Sequence, residues 1–366
     1  MRTPPTSSVP RPLPTKPTFR SFASSSSSGS SSSSATFSNP SKAHPLRLSK
    51  RWPRLALTLL GVTIPTSYYF FPSARELAPH MYSDQPVSST KSISTQHKLV
   101  SIPIPSSSTS KEYFTKPYRT VGSLADVEGG EIVIQHMMIK SPDIQIERPY
   151  TPINDPLADG EVRLVVKRVQ GGEVGRIVHS LKEGDKVGIR GPIPTYSIYP
   201  QNYDKIIMIS TGTAISPFLQ LLSKLPSPAP IPSQSQSQGQ GHTQAAIPST
   251  APKLHLIHSK PMQGREDWAN SLTDSSFLPS LQDKFGDRLQ VTRIDPGPVP
   301  KAALVEALNP GSQAGAEKDR ILVLVCLPPM LMRPLCGNMT PNLDQGPITG
   351  ILGEMGLTNE QVWKLE

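Results

Sequence analysis

The segment ERPYTP holds three side chains that could bind one ligand together. The guanidinium of Arg148 suits a phosphate group, the ring of Tyr150 could cover a flat ring system, and the hydroxyl of Thr151 could hydrogen-bond a ring nitrogen. Pro149 and Pro152 cannot donate backbone hydrogen bonds, so the segment is predicted to lie at the edge or end of a sheet. Because alternate strand residues share a face, Arg148 and Tyr150 are predicted to contact one ligand. An exposed arginine and a packed tyrosine would also explain the pair.

Two further segments could present backbone amides to a nucleotide. Gly172 and Gly175 come at the start of a predicted helix, where free N–H groups bind a pyrophosphate well, although a hairpin turn would also explain them. Gly212 and Thr213 connect a predicted buried strand to a helix that begins near Pro217. This strand–loop–helix arrangement suits a phosphate or a flat ring. Proline in a first helical turn is also ordinary capping.

The cysteines and histidines do not form a metal pattern. Cys326 ends the last predicted buried strand, at the sheet edge where ligands bind in α/β proteins. Its separation from Cys336 fits neither a metal nor a redox motif. His255 and His258 are three apart on a predicted strand, so they point to opposite faces and cannot share a metal. We therefore expect no metal site.

The elements that would position these residues fall into two domains. Residues 111–200 contain short alternating stretches separated by Gly, Pro and Asp, with one short helix near GRIVHSL. The stretches cover residues 129–140, 143–151, 160–169 and 184–193. Such short strands at roughly ten-residue spacing predict an antiparallel β-barrel.

Residues 204–366 have a different pattern, in which compact apolar runs alternate with helical stretches. The runs are 205–210, 253–259, 289–294 and 321–327, and the predicted helices are 216–225, 266–272 and 301–308. Strand–helix alternation of this kind predicts a doubly wound α/β domain with a parallel sheet. The Ser-, Gln- and Pro-rich segment 226–252 is predicted to be a disordered insertion.

The N-terminal region carries the excess charge of the chain. Residues 1–54 hold nine of the 37 Lys and Arg and no acid, and the remaining 28 basic residues match the 28 acidic ones. The body of the protein is therefore neutral, and a nucleic-acid partner is not expected. A basic, Ser-rich, acid-free tail predicts a mitochondrial transit peptide over residues 1–50, with a disordered cytosolic tail as the alternative.

A predicted transmembrane helix follows over residues 55–74. These 20 residues are uncharged, which is close to the ~20 needed to cross a bilayer core. Aromatic residues stand at both ends, and basic residues precede the stretch. The positive-inside rule then leaves the N-terminus in the matrix and the rest beyond the inner membrane. An interfacial segment is the alternative. The Ser-, Thr- and Pro-rich residues 75–110 are predicted to be a linker.

In this order and spacing, RPYTP, GG..G....SLK.GD, GP, GT.I.PFLQLL and VC.PP resemble the ferredoxin–NADP reductase superfamily, and within it the NADH–cytochrome b5 reductase branch. The resemblance implies a barrel that binds FAD and an α/β domain that binds NAD(P)H. It assigns the flavin to Arg148, Pro149, Tyr150 and Thr151, and its pyrophosphate also to the amides of Gly172 and Gly175. It places Gly212, Thr213 and Pro217 at the junction of flavin and nicotinamide, and it implies catalytic roles for Thr151 and Cys326.

The tail-plus-span layout, IKSPDIQIERPYTP and GPITGILGEMGLTNEQVWKL are similar to a family of fungal mitochondrial FAD proteins that assist haem attachment to cytochrome c. This resemblance implies an inner-membrane anchor, domains that face the intermembrane space, and haem, cytochrome c or haem lyase as partners. Electrons would pass from NAD(P)H to a haem iron.

Two alternatives remain open from the sequence. One is an NADH–cytochrome b5 reductase of a mitochondrial membrane. The other is an assembly factor that binds FAD without hydride transfer. Leu327 favours the second, because the family has glycine at this position and a leucine is expected to crowd a nicotinamide.

Overall fold

A computed structural model of the chain describes residues 76–115, 130–142, 145–227, 251–261, 266–271, 275–308 and 320–365. All of them belong to the same unit of the chain. The predicted transit peptide, the predicted span 55–74 and residues 228–250 of the predicted insertion lie outside the described residues. Within the described ranges, no helix combines the length and the apolar character needed to cross a membrane.

Two antiparallel sheets form the first domain. One sheet has the order β1-β7-β4-β5 and comprises β1 (Ser83–Pro86), β4 (Ile132–Lys140), β5 (Glu147–Tyr150) and β7 (Lys186–Ile198). The other has the order β2-β3-β6 and comprises β2 (Ser89–Ser92), β3 (His97–Pro103) and β6 (Glu161–Lys167). The helices are α1 (Ser108–Thr115), α2 (Pro156–Asp159) and α3 (Glu173–Ser180). Apolar residues from both sheets and α3 share one buried cluster, so the predicted barrel-like domain is confirmed.

The prediction of a linker over residues 75–110 is wrong. Strands β1, β2 and β3 and the start of α1 occupy this region. Leu99, Val100 and Ile102 of β3 are buried, and Leu77 is fully buried before the first strand. Pro86 and Pro103 stand at strand ends, where a missing N–H costs little. Ser and Thr therefore occur here on strands rather than in a flexible chain.

A five-stranded parallel sheet forms the second domain, with the order β10-β9-β8-β11-β12. Its strands are β8 (Lys205–Thr211), β9 (Lys253–Ser259), β10 (Leu289–Ile294), β11 (Ile321–Cys326) and β12 (Val362–Leu365). Its helices are α4 (Ser216–Lys224), α5 (Leu278–Phe285), α6 (Lys301–Leu308), α7 (Pro329–Cys336) and α8 (Gly350–Glu354). The strand order reverses between β8 and β11, which confirms the doubly wound architecture.

The helix predicted over residues 266–272 is wrong. The described part of this segment holds a 3₁₀ turn, Trp268–Asn270, with extended backbone at Asp267 and Ser271. The buried indole of Trp268 stacks on His97 with ring centroids 5.8 Å apart and meets the ring of Phe277 edge-on. Tertiary packing of one large aromatic has therefore overridden the local helical preference.

The two domains share a core. Ile134, Ile153 and Ile198 of the barrel lie in the same buried cluster as Phe218 and Leu219 of α4. Polar contacts cross the same seam: the Gln220 side chain accepts from the backbone N of Gln135 at 2.8 Å and donates to its carbonyl at 3.1 Å. The Lys224 ammonium donates to the carbonyl of Val133 at 2.7 Å. The seam is thus a continuous interior that fixes α4 against β4.

Candidate functional site

The first site element is the edge strand β5, as the prolines of its segment predict. Arg148 is exposed, and the hydrogen bond described for its guanidinium goes to the backbone carbonyl of Glu147 at 2.9 Å. No carboxylate among the described residues pairs with it. Tyr150 is half-buried against the barrel core, which raises the pKa of its phenol. Thr151 follows directly and is half-buried. A cation without a carboxylate partner among the described residues and an aromatic ring therefore stand on one sheet edge.

The second element is the start of α3. Gly172 has extended backbone at the N-cap and supplies no side-chain cap, so the first amides of the helix have no acceptor within the helix. A Cβ at Gly172 would lie 3.2 Å from the Val169 carbonyl oxygen, and one at Gly175 would lie 3.0 Å from that of Lys167. Larger residues at either position would push α3 away from β6. The Glu173 carboxylate beside these amides is paired with Arg176, which lowers its pKa and offsets its charge.

These two elements meet through the barrel core. Tyr150 packs against the cluster that contains Val174 and Val178 of α3. Strand β5 and helix α3 therefore pack on the same buried core. Such a combination of a cation, a ring and free amides suits a phosphorylated ligand with a flat head group.

The third element is the switch point of the parallel sheet. Ser210 of β8 lies opposite Cys326 of β11, so both strands end at the same level. Gly212, with a φ of 54°, begins a 3₁₀ turn that continues into α4, and Pro217 is buried in the first turn of that helix. The Thr213 carbonyl accepts a hydrogen bond from the Ser216 hydroxyl at 2.9 Å. The predicted strand–loop–helix arrangement is present.

The expectation that Leu327 crowds this switch point is not supported by the packing. Cys326 is buried in the cluster shared with the barrel and α4, whereas Leu327 is buried in the cluster on the opposite face, with residues of α6 and α7. Successive residues of an extended chain point to opposite faces. The bulk of the leucine is therefore accommodated in the core behind the sheet, away from the barrel-facing cleft.

A cavity of about 190 Å³ lies at the carboxyl ends of the parallel strands. Its walls come from Thr211 and Gly212 at the end of β8, from 258–261 at the end of β9 and from Pro296 and Gly297 after β10. The barrel closes it with the turn 94–97 and with Lys167. Of the residues that the sequence predicted for the junction, Gly212 lines this cavity, whereas Thr213, Pro217 and Cys326 do not.

Lys167 joins the cavity to the barrel site. Lys167 lines the cavity, and its carbonyl oxygen lies 3.0 Å from where a Cβ would stand at Gly175. Burial and the charges of Lys167 and His179 together lower the pKa of His97 to about 4, with burial the larger cause. The cavity therefore keeps a neutral imidazole beside a cation that no described carboxylate pairs with.

Sequence reasoning missed most of the cavity wall, including Lys167, His258, Asp267 and Trp268. A signal for two of them was present. Lys167 and His258 stand at the ends of stretches that were predicted as strands, and strand ends carry ligand sites in α/β folds. The turn 94–97 was not predicted, because the composition of residues 75–110 predicts a linker and not the strands β2 and β3 that flank this turn. The described residues contain no group of three or more His, Cys, Asp or Glu side chains that could hold a metal ion.

Tyr196 of β7 and Trp363 of β12 stack on each other across the seam. Their ring centroids are 4.7 Å apart and their planes differ by 29°. Burial is the main cause of the raised pKa of Tyr196, so its phenol stays protonated over the physiological range. Each ring thus has one face occupied by the other, and the pair closes the seam beside β12.

Comparison with known proteins identifies the architecture. A family described as "Oxidoreductase FAD-binding domain" matches residues 126–198, which include the edge strand and the start of α3. The NADH-cytochrome b5 reductase 2 of Yarrowia lipolytica is 25% identical over 321 residues, which are 86% of this chain and 98% of that protein. The protein of the same name from Meyerozyma guilliermondii is 30% identical over 227 residues, 59% of this chain and 67% of that protein.

Among solved structures, the cytochrome b5 reductase domain of Ulva prolifera nitrate reductase aligns with 79% of this chain and 99% of that chain. The sequence identity is 17% and the TM-score is 0.48.

Proposed function

Because this chain belongs to the NADH–cytochrome b5 reductase family, we propose that it is an FAD-dependent oxidoreductase that takes electrons from NAD(P)H. Bound FAD supplies the redox chemistry, since it accepts a hydride and can release electrons singly. The chain supplies position, charge and exclusion of water. A single observation carries the proposal: Lys167 lines the cavity at the parallel sheet, and its carbonyl oxygen lies against Gly175 of the barrel site.

The residues present fit FAD. The guanidinium of Arg148, which pairs with no carboxylate of the described residues, and the amides that follow Gly172 suit the two charges of a pyrophosphate. Tyr150 offers a ring that is already fixed by packing against the barrel core. Thr151 offers a hydroxyl at the end of the same strand, and the buried Gly175 lets α3 lie close to β6.

The cavity is proposed to hold the nucleotide end of NAD(P)H. It lies at the carboxyl edge of the sheet, beside the switch point between β8 and β11, where α/β domains bind dinucleotides. Lys167 would bind a phosphate of the donor, and Gly212 lets the chain turn with its backbone close to the ligand. The nicotinamide would then lie toward Thr213 and Cys326.

The proposed acceptor is a haem iron, and the proposed role is support of haem attachment to cytochrome c, with cytochrome c or haem lyase as partners. The likeness of two segments to the fungal mitochondrial FAD proteins supports this role. The proposed location is the mitochondrial inner membrane, with both domains in the intermembrane space. The acid-free tail and the uncharged stretch 55–74 support it.

Two other functions are weighed against this one. The first is an NADH–cytochrome b5 reductase of a mitochondrial membrane, and the names of the relatives support its reductase activity. A non-catalytic assembly factor was favoured by Leu327, and that side chain packs behind the sheet. The identity of the electron acceptor therefore distinguishes the two enzymes. Reduction of the bound flavin by NAD(P)H distinguishes an enzyme from an assembly factor.

Steady-state kinetics of the full-length, FAD-loaded protein test the proposal. We expect NAD(P)H to reduce ferricyanide, and haemin to be reduced faster than cytochrome b5. Lys167→Ala should raise the KM for the donor about tenfold through loss of a charge-assisted contact, whereas Arg168→Ala, at the exposed neighbouring position, should leave it unchanged. An equal effect of both variants would refute the role of Lys167, and faster reduction of cytochrome b5 would favour the alternative enzyme.

A further inference from the structure

An acid is the immediate neighbour of the arginine proposed to bind the FAD pyrophosphate. Glu147 and Arg148 are consecutive residues of the edge strand β5, so their side chains point to opposite faces of the sheet. Arg148 stands opposite Ile139 of β4, which is buried in the barrel core, whereas Glu147 stands opposite Lys140. The Glu147 carboxylate therefore lies on the face that is turned away from the core, one residue from Arg148.

Two side chains from other parts of the barrel hold this carboxylate. The guanidinium of Arg190, on β7, lies 3.2 and 3.4 Å from the two oxygens of Glu147, and the Tyr82 hydroxyl donates to the same carboxylate. Arg190 is itself fixed in place. It donates to the carbonyl of Pro79 at 2.9 Å and lies over the Tyr82 ring, 5.4 Å from the ring centroid. The carboxylate is thus drawn toward β7.

The same contacts keep Glu147 ionised and offset its charge. The hydrogen bond from Tyr82 is the largest cause of the lowered pKa of Glu147 and the one from Arg190 is the next, while the charges of Arg190 and Lys140 act in the same direction and burial opposes them. Without Arg190, a full negative charge would stand beside Arg148. It would attract that guanidinium and repel a bound pyrophosphate.

We propose that Arg190 is a positioning residue of the flavin site: by pairing with Glu147, it prevents that carboxylate from opposing the binding of FAD at Arg148. This rests on the proposed function, because it assumes that Arg148 binds the pyrophosphate. Arg190 acts through Glu147 and needs no contact with FAD. Removal of Arg190 therefore weakens FAD binding only while Glu147 carries its charge.

The test measures the dissociation constant of FAD by flavin fluorescence, on the full-length protein from which the flavin has been removed. Measurements at about 0.01 M and about 1 M salt shorten the screening length from about 30 Å to about 3 Å. Arg190→Gln should raise the constant about fivefold at low salt and about twofold or less at high salt. Glu147→Gln should bind FAD at least as tightly as the wild type, and the double variant should recover the wild-type affinity.

Two further variants separate charge from folding. Arg190→Lys, which also serves if Arg190→Gln does not fold, keeps the positive charge and should bind FAD within about twofold of the wild type. Arg320→Gln is the matched control, because it breaks an ion pair with Asp204, 3.0 Å long, at the amino ends of β8 and β11. It should leave the FAD dissociation constant unchanged at both salt concentrations.

The proposal is overturned if Arg190→Gln binds FAD as the wild type does at low salt, if the double variant stays as weak as Arg190→Gln, or if Arg190→Lys loses more than about twofold in affinity. Each of these results would leave the proposed function standing, since FAD would still bind at Arg148. An unchanged FAD affinity in Arg148→Ala would instead remove the pyrophosphate from this strand, and the role of Arg190 with it.

Discussion

At the scale of single residues, Leu327 and Cys326 show how one position in a strand decides a side chain's role. Cys326 faces the barrel and Leu327 faces α6 and α7. We expect Leu327→Ala to lower the free energy of unfolding by about 2–5 kcal/mol, because it leaves a cavity in that core. The affinity for NADH should not change. Denaturant titration and flavin-monitored binding measure the two quantities, and a clear gain in NADH affinity would restore the idea that Leu327 obstructs the donor.

Arg148 gives a second prediction at this scale. Because its guanidinium has no carboxylate partner among the described residues, its substitution breaks no ion pair seen there. Arg148→Ala should weaken FAD binding by about 1.5–3 kcal/mol, as expected for hydrogen bonds to a charged group, with little change in folding. Arg333→Ala, at an exposed arginine of α7, is the control. Equal flavin retention after dialysis in both variants would remove Arg148 from the site.

The residues proposed for the barrel site and those of the cavity differ in how far apart they lie in the chain. Arg148, Tyr150 and Gly172 belong to short continuous motifs whose geometry is mostly local. The cavity combines the turn 94–97, Lys167 and His258, which are far apart in the chain and meet only after the two domains have packed. No local pattern contains that information.

At the scale of elements, strands β1 to β3 belong to the barrel domain, which therefore begins before the predicted residue 111. Strand β3 pairs with β6 along its whole length, and β1 pairs with β7. A chain that begins at residue 111 should therefore lose FAD and aggregate, because β6 and β7 would be left with open edges. A chain that begins at residue 76 should stay soluble and retain FAD. Size-exclusion chromatography with flavin detection compares them, and a soluble yellow protein from the shorter chain would contradict this assignment.

Four of the five parallel strands were predicted almost to the residue, and β12 was not predicted. Strands β9 and β10 and helix α6 have the predicted bounds, because runs of buried apolar residues flanked by turns leave few alternatives. The strands of residues 83–103 were missed because Ser, Thr and Pro dominate their composition. Their burial depends on partners more than 50 residues away, such as β6 and β7.

Helix α4 carries a pH-dependent contact of the seam. Burial lowers the pKa of Lys224 from 10.5 to about 8, with the Asp155 carboxylate opposing. Between these values the unfolded chain binds more protons than the folded one, so this group makes the free energy of unfolding rise with pH. Lys224→Met should lack that contribution. The melting temperature of the wild type should therefore rise relative to that of the variant from pH 8 to pH 10. Parallel pH dependences would show that the ammonium is not desolvated.

At the scale of the whole molecule, the barrel and the α/β domain share one buried cluster and a set of polar contacts. Lys167 lines the cavity, and its carbonyl oxygen lies close to Gly175 of α3. A ligand on the barrel and a donor on the parallel sheet would therefore meet at a fixed interface. Leu327, which follows β11 where the family has glycine, does not alter this arrangement, because its side chain packs behind the parallel sheet.

Anaerobic reduction of the full-length protein tests the central claim most directly. The purified chain should carry FAD, and stoichiometric NADH or NADPH should bleach the flavin absorbance within seconds in the absence of any acceptor. Dithionite should then cause little further bleaching. A protein that retains its flavin, is bleached by dithionite, and is indifferent to both dinucleotides would contradict the account and leave a non-catalytic flavin-binding protein.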